Sequence, residues 1–239
     1  MSREQERVRR RLEQNPIVEC NRIQRKYYPE LFSRFAKVKD PRNQSYIDYS
    51  TKTMLGTLYY KCIGGISSMQ EMTRKFNDDK IVENLYAFLG DTKKDYLPHG
   101  VTVNEFLERV SPEELEEIQK DLAYTMIRRK TFDDARVLKK WQIIIDGTEL
   151  DEGYQTKNDF YLSRCYNRGE SNEFTKYHRS VLEAKLYLGL VCSIASETIQ
   201  NSEEYISQSD DRVKQDCESK AFVRLAEKIK KRFRRLSSV

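Results

Sequence analysis

Eight basic side chains crowd into residues 220–235, KAFVRLAEKIKKRFRR: Lys220, Arg224, Lys228, Lys230, Lys231, Arg232, Arg234 and Arg235. Glu227 is the one acid among them, so this stretch carries +7 and leaves −2 of the chain's +5 for everything else. A second basic step, Arg128-Arg129-Lys130 with Arg136, Lys139 and Lys140, lies near the middle of the 239 residues. Patches of this kind suit a polyanion, because neutralising phosphates releases condensed counterions and supplies most non-specific affinity. The plain alternative is a solvated helix face. One carboxylate also stands out. Asp146 terminates Trp141-Gln142-Ile143-Ile144-Ile145, an apolar, β-branched run of the type found in strands buried on both faces. Its plain reading is an aspartate capping the turn at Gly147-Thr148.

Other chemistries find no footing. His99 and His178 have no Cys or carboxylate at metal-ligand spacing, and the five cysteines are scattered and odd in number, so no disulfide framework or zinc motif is legible. Gly64-Gly65 lacks the strand before it and the Lys-Ser/Thr after it that a phosphate loop requires. Hydrolase nucleophile motifs are absent. With 38% hydrophobic and 34% charged residues, nine Gly and five Pro, the composition is that of a folding chain. No run approaches the roughly 20 apolar residues of a membrane span, and the charged N-terminus MSREQERVRRRLEQNP is unlike a signal peptide. The expected location is the reducing cytoplasm.

The elements that must position these residues fall into three parts: a polar N-terminal extension over 1–30, a helical region over 31–135, and a strand-containing region over 136–239. In the second, Met54, Leu55, Leu58 and Cys62 make one stripe of a helix that Gly64-Gly65 ends. Ser67 with Gln70 or Ser68 with Glu71 forms a capping box for the next helix. Thr102 and Ser111 are N-cap candidates for two more, the second of which buries Leu115, Ile118, Leu122 and Met126. In the third part, Val181 to Leu188 and Leu190 to Glu197 read as an antiparallel hairpin about Gly189. Residues 151–177 are expected to form a long excursion. A final helix, Gln215 to Phe233, carries the seam Phe222, Leu225, Ala226, Ile229, Phe233. The fold class is α+β.

Trp141-Gln-Ile-Ile-Ile-Asp146-Gly147-Thr148 resembles the first strand and first catalytic aspartate of insertion-sequence DDE transposases, which use a ribonuclease-H-like core. Four further segments match in order: Asp40-Pro41-Arg42 with the helix ending at Gly64-Gly65; the approach from Leu97-Pro98 to Arg128-Arg129-Lys130; Tyr177 to Leu186; and Lys214 to Leu225. The resemblance covers about residues 31–236. It implies an all-helical domain, then a ribonuclease-H-like core of which three strands and one helix are present. It also implies an enzyme that cleaves and joins DNA with two Mg²⁺ or Mn²⁺ ions held by three carboxylates.

Only Asp146 matches a catalytic and metal-binding position of that family. The second carboxylate comes from a fourth strand, due just after the basic helix, and Asp216 and Glu218 precede that helix. One carboxylate does not hold two Mg²⁺ ions, which keep their waters unless several oxygen ligands replace them. The resemblance therefore implies a truncated, catalytically inactive copy that does not bind the metals stably. Its implied partner is double-stranded DNA at transposon ends, contacted by Arg128, Arg129, Lys130, Arg224, Lys228, Lys231, Arg232, Arg234 and Arg235. Its implied assembly is a homo-oligomer or a mixed oligomer with intact transposase. Without a fourth strand, one edge of Trp141–Ile145 is expected to be unpaired. The competing reading is a non-catalytic helical DNA-binding or interaction protein.

Overall fold

A computed structural model of the chain describes residues 2–14, 16–130, 133–187, 191–207 and 214–233. The backbone divides into two compact units, Met1–Ile118 and Gln119–Val239.

Among the described residues of the first unit the only regular elements are helices. Its elements are α1 (Arg3–Gln14), α2 (Pro16–Tyr27), α3 (Leu31–Phe35), α4 (Thr51–Ile63), α5 (Met69–Phe76), α6 (Asp79–Leu89), α7 (Gly100–Leu107) and the start of α8 (Pro112–Arg128). Ser50 caps α4 by accepting from the Thr53 N–H, and Ser68 caps α5 by accepting from Glu71. Of the two caps open to α5, Ser68 is the one used, while the Glu71 carboxylate accepts from the N–H of Ser67, at 3.4 Å, where a reciprocal box would have it accept from Ser68. The Glu71 carboxylate reaches back to Ser67 Oγ at 3.0 Å. The cap of α7 is His99, whose Nδ1 accepts from Val101, and not Thr102. Pro98 ends the preceding segment, so the helix opens three residues earlier than the Thr-x-x-Glu pattern suggests.

The centre of this unit is α4, which packs against α2, α3, α6 and α7. A helix surrounded on several sides buries more than one stripe, and Thr51, Thr53, Met54, Leu55, Gly56, Thr57 and Tyr60 are all buried. Gly56 permits the closest approach: a Cβ there would lie 2.2 Å from Leu89 Cδ2 of α6. Asp91, just beyond α6, accepts hydrogen bonds from the hydroxyls of Ser50 and Thr53 at the start of α4.

The second unit is a four-stranded antiparallel sheet with helices on one face. Its strands are β1 (Gln142–Gly153), β2 (Leu162–Tyr166), β3 (Phe174–Tyr187) and β4 (Val191–Ile199). β3 is central. β1 pairs along one of its edges, from Gln142↔Tyr187 to Gly153↔Tyr177. The other edge is shared by β2, over Leu162↔His178 to Tyr166↔Phe174, and β4, over Ser180↔Ile199 to Tyr187↔Val191. A short helix, α9 (Glu203–Ser207), and a longer one, α10 (Glu218–Arg232), complete the order. The expected β3–β4 hairpin is present; its turn at Gly189 lies outside the described residues. β2 is a strand within the segment expected to be a long excursion, and β1 runs seven residues past Asp146.

Alternation sets the faces of β3. Leu182, Ala184 and Leu186 point into a core completed by Ala123, Ile127, Ile194, Ala195, Ile199, Ala221, Leu225 and Phe233. Burying these apolar groups is the main favourable term for this unit. The seam of α10 is Ala221, Leu225, Ile229, Phe233, spaced i, i+4 throughout, and Phe222 stands outside it at 49% exposed. One position of offset turns a helical side chain by about 100°, which carries Phe222 off the sheet. The seam of α8 is likewise displaced: Ala123 and Ile127 are its most buried residues here, while Leu122 and Met126 are half-buried.

Candidate nucleic-acid interface

Asp146 sits on β1 opposite Glu183 of β3, and it is exposed. The expectation of a buried carboxylate ending a strand covered on both faces is overturned. β1 is the outermost strand on its side of β3, and α10 packs against β4 and β3, so Ile143 and Ile144 remain 44% and 45% exposed. Lys185, two residues along β3 from Glu183, closes an ion pair with it at 3.0 Å. The Glu183 hydrogen bond and charge, with Asp146 behind them, hold the Lys185 ammonium above its ordinary pKa. Among the described residues no three His, Cys, Asp or Glu side chains converge as a metal ion would need.

The basic residues sort into two groups. Arg224 is turned onto the sheet: its Nη2 and Nη1 lie 2.6 and 3.1 Å from the Asp216 carboxylate, and its Nε lies 2.7 Å from Glu197. Burial pushes Asp216 up, and the hydrogen bonds and charge of Arg224, together with the backbone N–H groups of Cys217 and Gln200, outweigh it and hold the carboxyl below the usual range. Lys228 donates to the Ser196 carbonyl at 2.7 Å and pairs with Glu197 at 3.2 Å. Two of the bases expected on a DNA surface are thus neutralised within the fold. Arg232 is half-buried, and its carbonyl accepts from the Tyr124 hydroxyl at 2.7 Å. Lys231 is exposed, as are Arg128, Arg129 and Lys130 at the end of α8. Arg234 and Arg235 lie outside the described residues.

What the fold brings together is a different set. A groove of about 360 Å³ is floored by Ile127, Trp141, Ile143, Leu186, Ile194, Ile229 and Phe233, and rimmed by Arg136, Lys139, Lys140 and Lys230. The two basic runs, some ninety residues apart in the chain, meet here on one surface. The Arg136 guanidinium lies over the Trp141 ring, 4.6 Å from its centroid, and pairs with Asp133 at 3.0 Å. Lys139, Lys140 and Lys230 are exposed. Lys139-Lys140 beside Trp141 is visible in the sequence; the proximity of Lys230 is a product of how α10 crosses the sheet. A larger cleft of about 630 Å³ opens beside Gly147, but Glu149, Asp216 and Glu218 there outnumber Arg164, so its lining does not suit a polyanion.

The segment leading into this groove is a two-residue hairpin. Val137 N–H donates to the Lys140 carbonyl and Lys140 N–H to that of Val137, at 3.0 and 2.9 Å. The central residues Leu138 and Lys139 have φ of +51° and +65°, the left-handed pair that defines a type I′ turn. Asn-Gly is the usual occupant of that turn, and each ordinary L-residue held there costs about 1–2 kcal/mol.

The sequence matches no family model, and the curated proteins and the solved structures offer no match to the chain either.

Proposed function

We propose that this chain is a transposase-like protein that binds double-stranded DNA through its second unit, using the groove between the hairpin at 137–140 and α10. The observation that carries the reading is the convergence of Lys139, Lys140 and Lys230 on one surface beside Arg136, which is itself paired with Asp133, with Arg128, Arg129 and Lys130 following directly on Ile127 of the same groove. A rim of one sign over apolar and aromatic side chains suits phosphates flanking base or sugar surface. The resemblance to a ribonuclease-H-like core draws support from the order of pairing: β1, β3 and β4 form an antiparallel meander with α10 on one face, and β2 is an addition within it.

Asp146 has Glu183 and Lys185 as its ionic neighbours, and this donor set does not fit two divalent ions. The reading therefore assigns to these residues DNA binding, with no cleavage step. Partner copies, or intact transposase in mixed oligomers, belong to the same proposal.

The test is fluorescence anisotropy on a labelled 30-bp duplex between 50 and 300 mM KCl. The expected result is an affinity that falls steeply with salt. Replacing Lys139, Lys140 and Lys230 together by Ala is expected to flatten the slope of log K against log salt by about 0.9 for each phosphate no longer neutralised. An unchanged slope in the triple variant, or binding indifferent to salt, would overturn the reading.

A further inference from the structure

The hairpin tip at Leu138 is the most conspicuous feature that the groove alone leaves unexplained. Leu138 is 89% exposed, and Val137 beside it is 50% exposed. A single exposed leucine on a protein surface is ordinary. This one, however, is held out by two consecutive left-handed residues with side chains, and Lys130 at the end of α8 has the same backbone, with φ +53°. Strain of this kind persists where the surrounding structure imposes it, and it concentrates at sites that engage ligands. A stability-driven choice at this turn would be Asn-Gly, which forms it without cost.

The surroundings say what the tip meets. Residues 128–140 hold six bases, Arg128, Arg129, Lys130, Arg136, Lys139 and Lys140, against Asp133 and Asp134, a net +4. Leu138 is followed directly by Lys139 and Lys140, and an apolar side chain presented beside such charges suits a partner that is polyanionic outside and apolar between its charged rails. Duplex DNA has that construction: phosphates on both strands with stacked bases between them. Proteins that bend DNA through the minor groove exploit it by pushing a leucine or similar wedge between base steps while basic side chains hold the flanking phosphates.

We infer that Leu138 is a wedge that enters a base step of duplex DNA and kinks it, with Lys139 and Lys140 holding the adjacent phosphates. The inference rests on the DNA-binding reading above and adds a mode of engagement to it. In this arrangement the strained turn sets the height of the leucine above the basic surface.

Ligase-mediated circularisation of a linear duplex of about 120 bp tests the idea, because DNA of that length is shorter than its persistence length and seldom closes unaided. Saturating wild-type chain is expected to raise the yield of circles at least tenfold. Leu138→Ala should bind the same duplex within about threefold of wild-type affinity and fail to raise the yield. The variant Leu138→Asn keeps Lys139 and places at the first left-handed position a residue that the turn favours; its Tm should not fall below that of the wild type, so misfolding is not its failure mode, and it too should bind the duplex and give no circles. Wild-type chain that binds without promoting closure, or Leu138→Ala that promotes it fully, would overturn the wedge and leave DNA binding standing. Absence of any binding to the duplex would overturn both.

Discussion

Arg224 grips Asp216 with two nitrogens, at 2.6 and 3.1 Å, and reaches Glu197 with a third at 2.7 Å. A residue whose sequence context reads as part of a DNA-facing charge run is thus a tie between α10, the segment before it and β4. Asp216 is 7% exposed at its side chain, so removing Arg224 leaves a largely buried carboxylate without its main partner. Arg224→Ala is expected to destabilise the second unit by about 2 kcal/mol, read by urea unfolding, while duplex affinity stays within about twofold. A large loss of affinity with unchanged stability would show that the guanidinium leaves the sheet to contact DNA.

Two aspartates make the stability acid-sensitive, one in each unit. Asp91 is pushed up by burial, and hydrogen bonds from Ser50, Thr53 and the Thr92 N–H outweigh that, so its carboxyl titrates below the usual range; Asp216 behaves likewise under Arg224. The unfolded forms of both take up a proton near pH 3.9. Their contribution to stability is therefore fully present above that value, and it is lost as pH falls through the lower folded values. Urea midpoints measured from pH 6 to pH 2.5 should fall below about pH 4, and Asp91→Ala, at a cost of about 2 kcal/mol at pH 7, should weaken the fall for the first unit.

Gly56 and Gly100 predict a graded response to a single methyl group in the helical unit. At Gly56 the added Cβ meets the end of the Leu89 side chain at 2.2 Å, which another rotamer can relieve in part; at Gly100 it meets the Met69 carbonyl oxygen at 2.7 Å and its Cβ at 2.8 Å. The backbone of Met69, first residue of α5, cannot move away without shifting the helix. Gly56→Ala should cost about 1–2 kcal/mol and Gly100→Ala about 2–3 kcal/mol, although Ala is the better helix former at both positions. Thermal unfolding of the two variants orders them.

Much of the helical unit was legible because local rules govern it. Ser50 and Ser68 cap their helices through their own neighbours, and the Met54–Leu55 stripe needs no distant partner. The β3–β4 hairpin was legible through the alternation of Leu182, Ala184 and Leu186. β2 was not, since Leu-Ser-Arg-Cys-Tyr buries chiefly its first residue and shows no period. The length of β1 was hidden for a related reason: beyond Asp146 it is an exposed strand carrying Glu149, Asp151 and Glu152, and charges there cost little. The roles of the bases were the least legible. Whether Arg224 faces outward depends on Glu197 and Asp216, which lie twenty-seven and eight residues from it. The Leu138-Lys139 turn was invisible because its residues are not those that the turn prefers.

The pairing of Asp146 with Glu183 leads to a prediction about the residue that the resemblance singles out. Two carboxylates directly opposite on antiparallel strands repel, and Lys185 is bonded to Glu183 at 3.0 Å, which relieves only part of that repulsion. An aspartate kept at this position for the fold alone would be expected to lose stability when replaced. On the geometry here Asp146→Asn should instead leave the second unit unchanged or stabilise it by about 0.2–1 kcal/mol at pH 7, because it removes one of two facing charges while preserving shape. The same substitution should slightly strengthen binding to duplex DNA by removing a negative charge from a chain that must approach phosphates. Urea unfolding and the anisotropy titration on this one variant read both effects. A loss of more than about 1 kcal/mol would mark Asp146 as a structural residue whose carboxylate the strand needs.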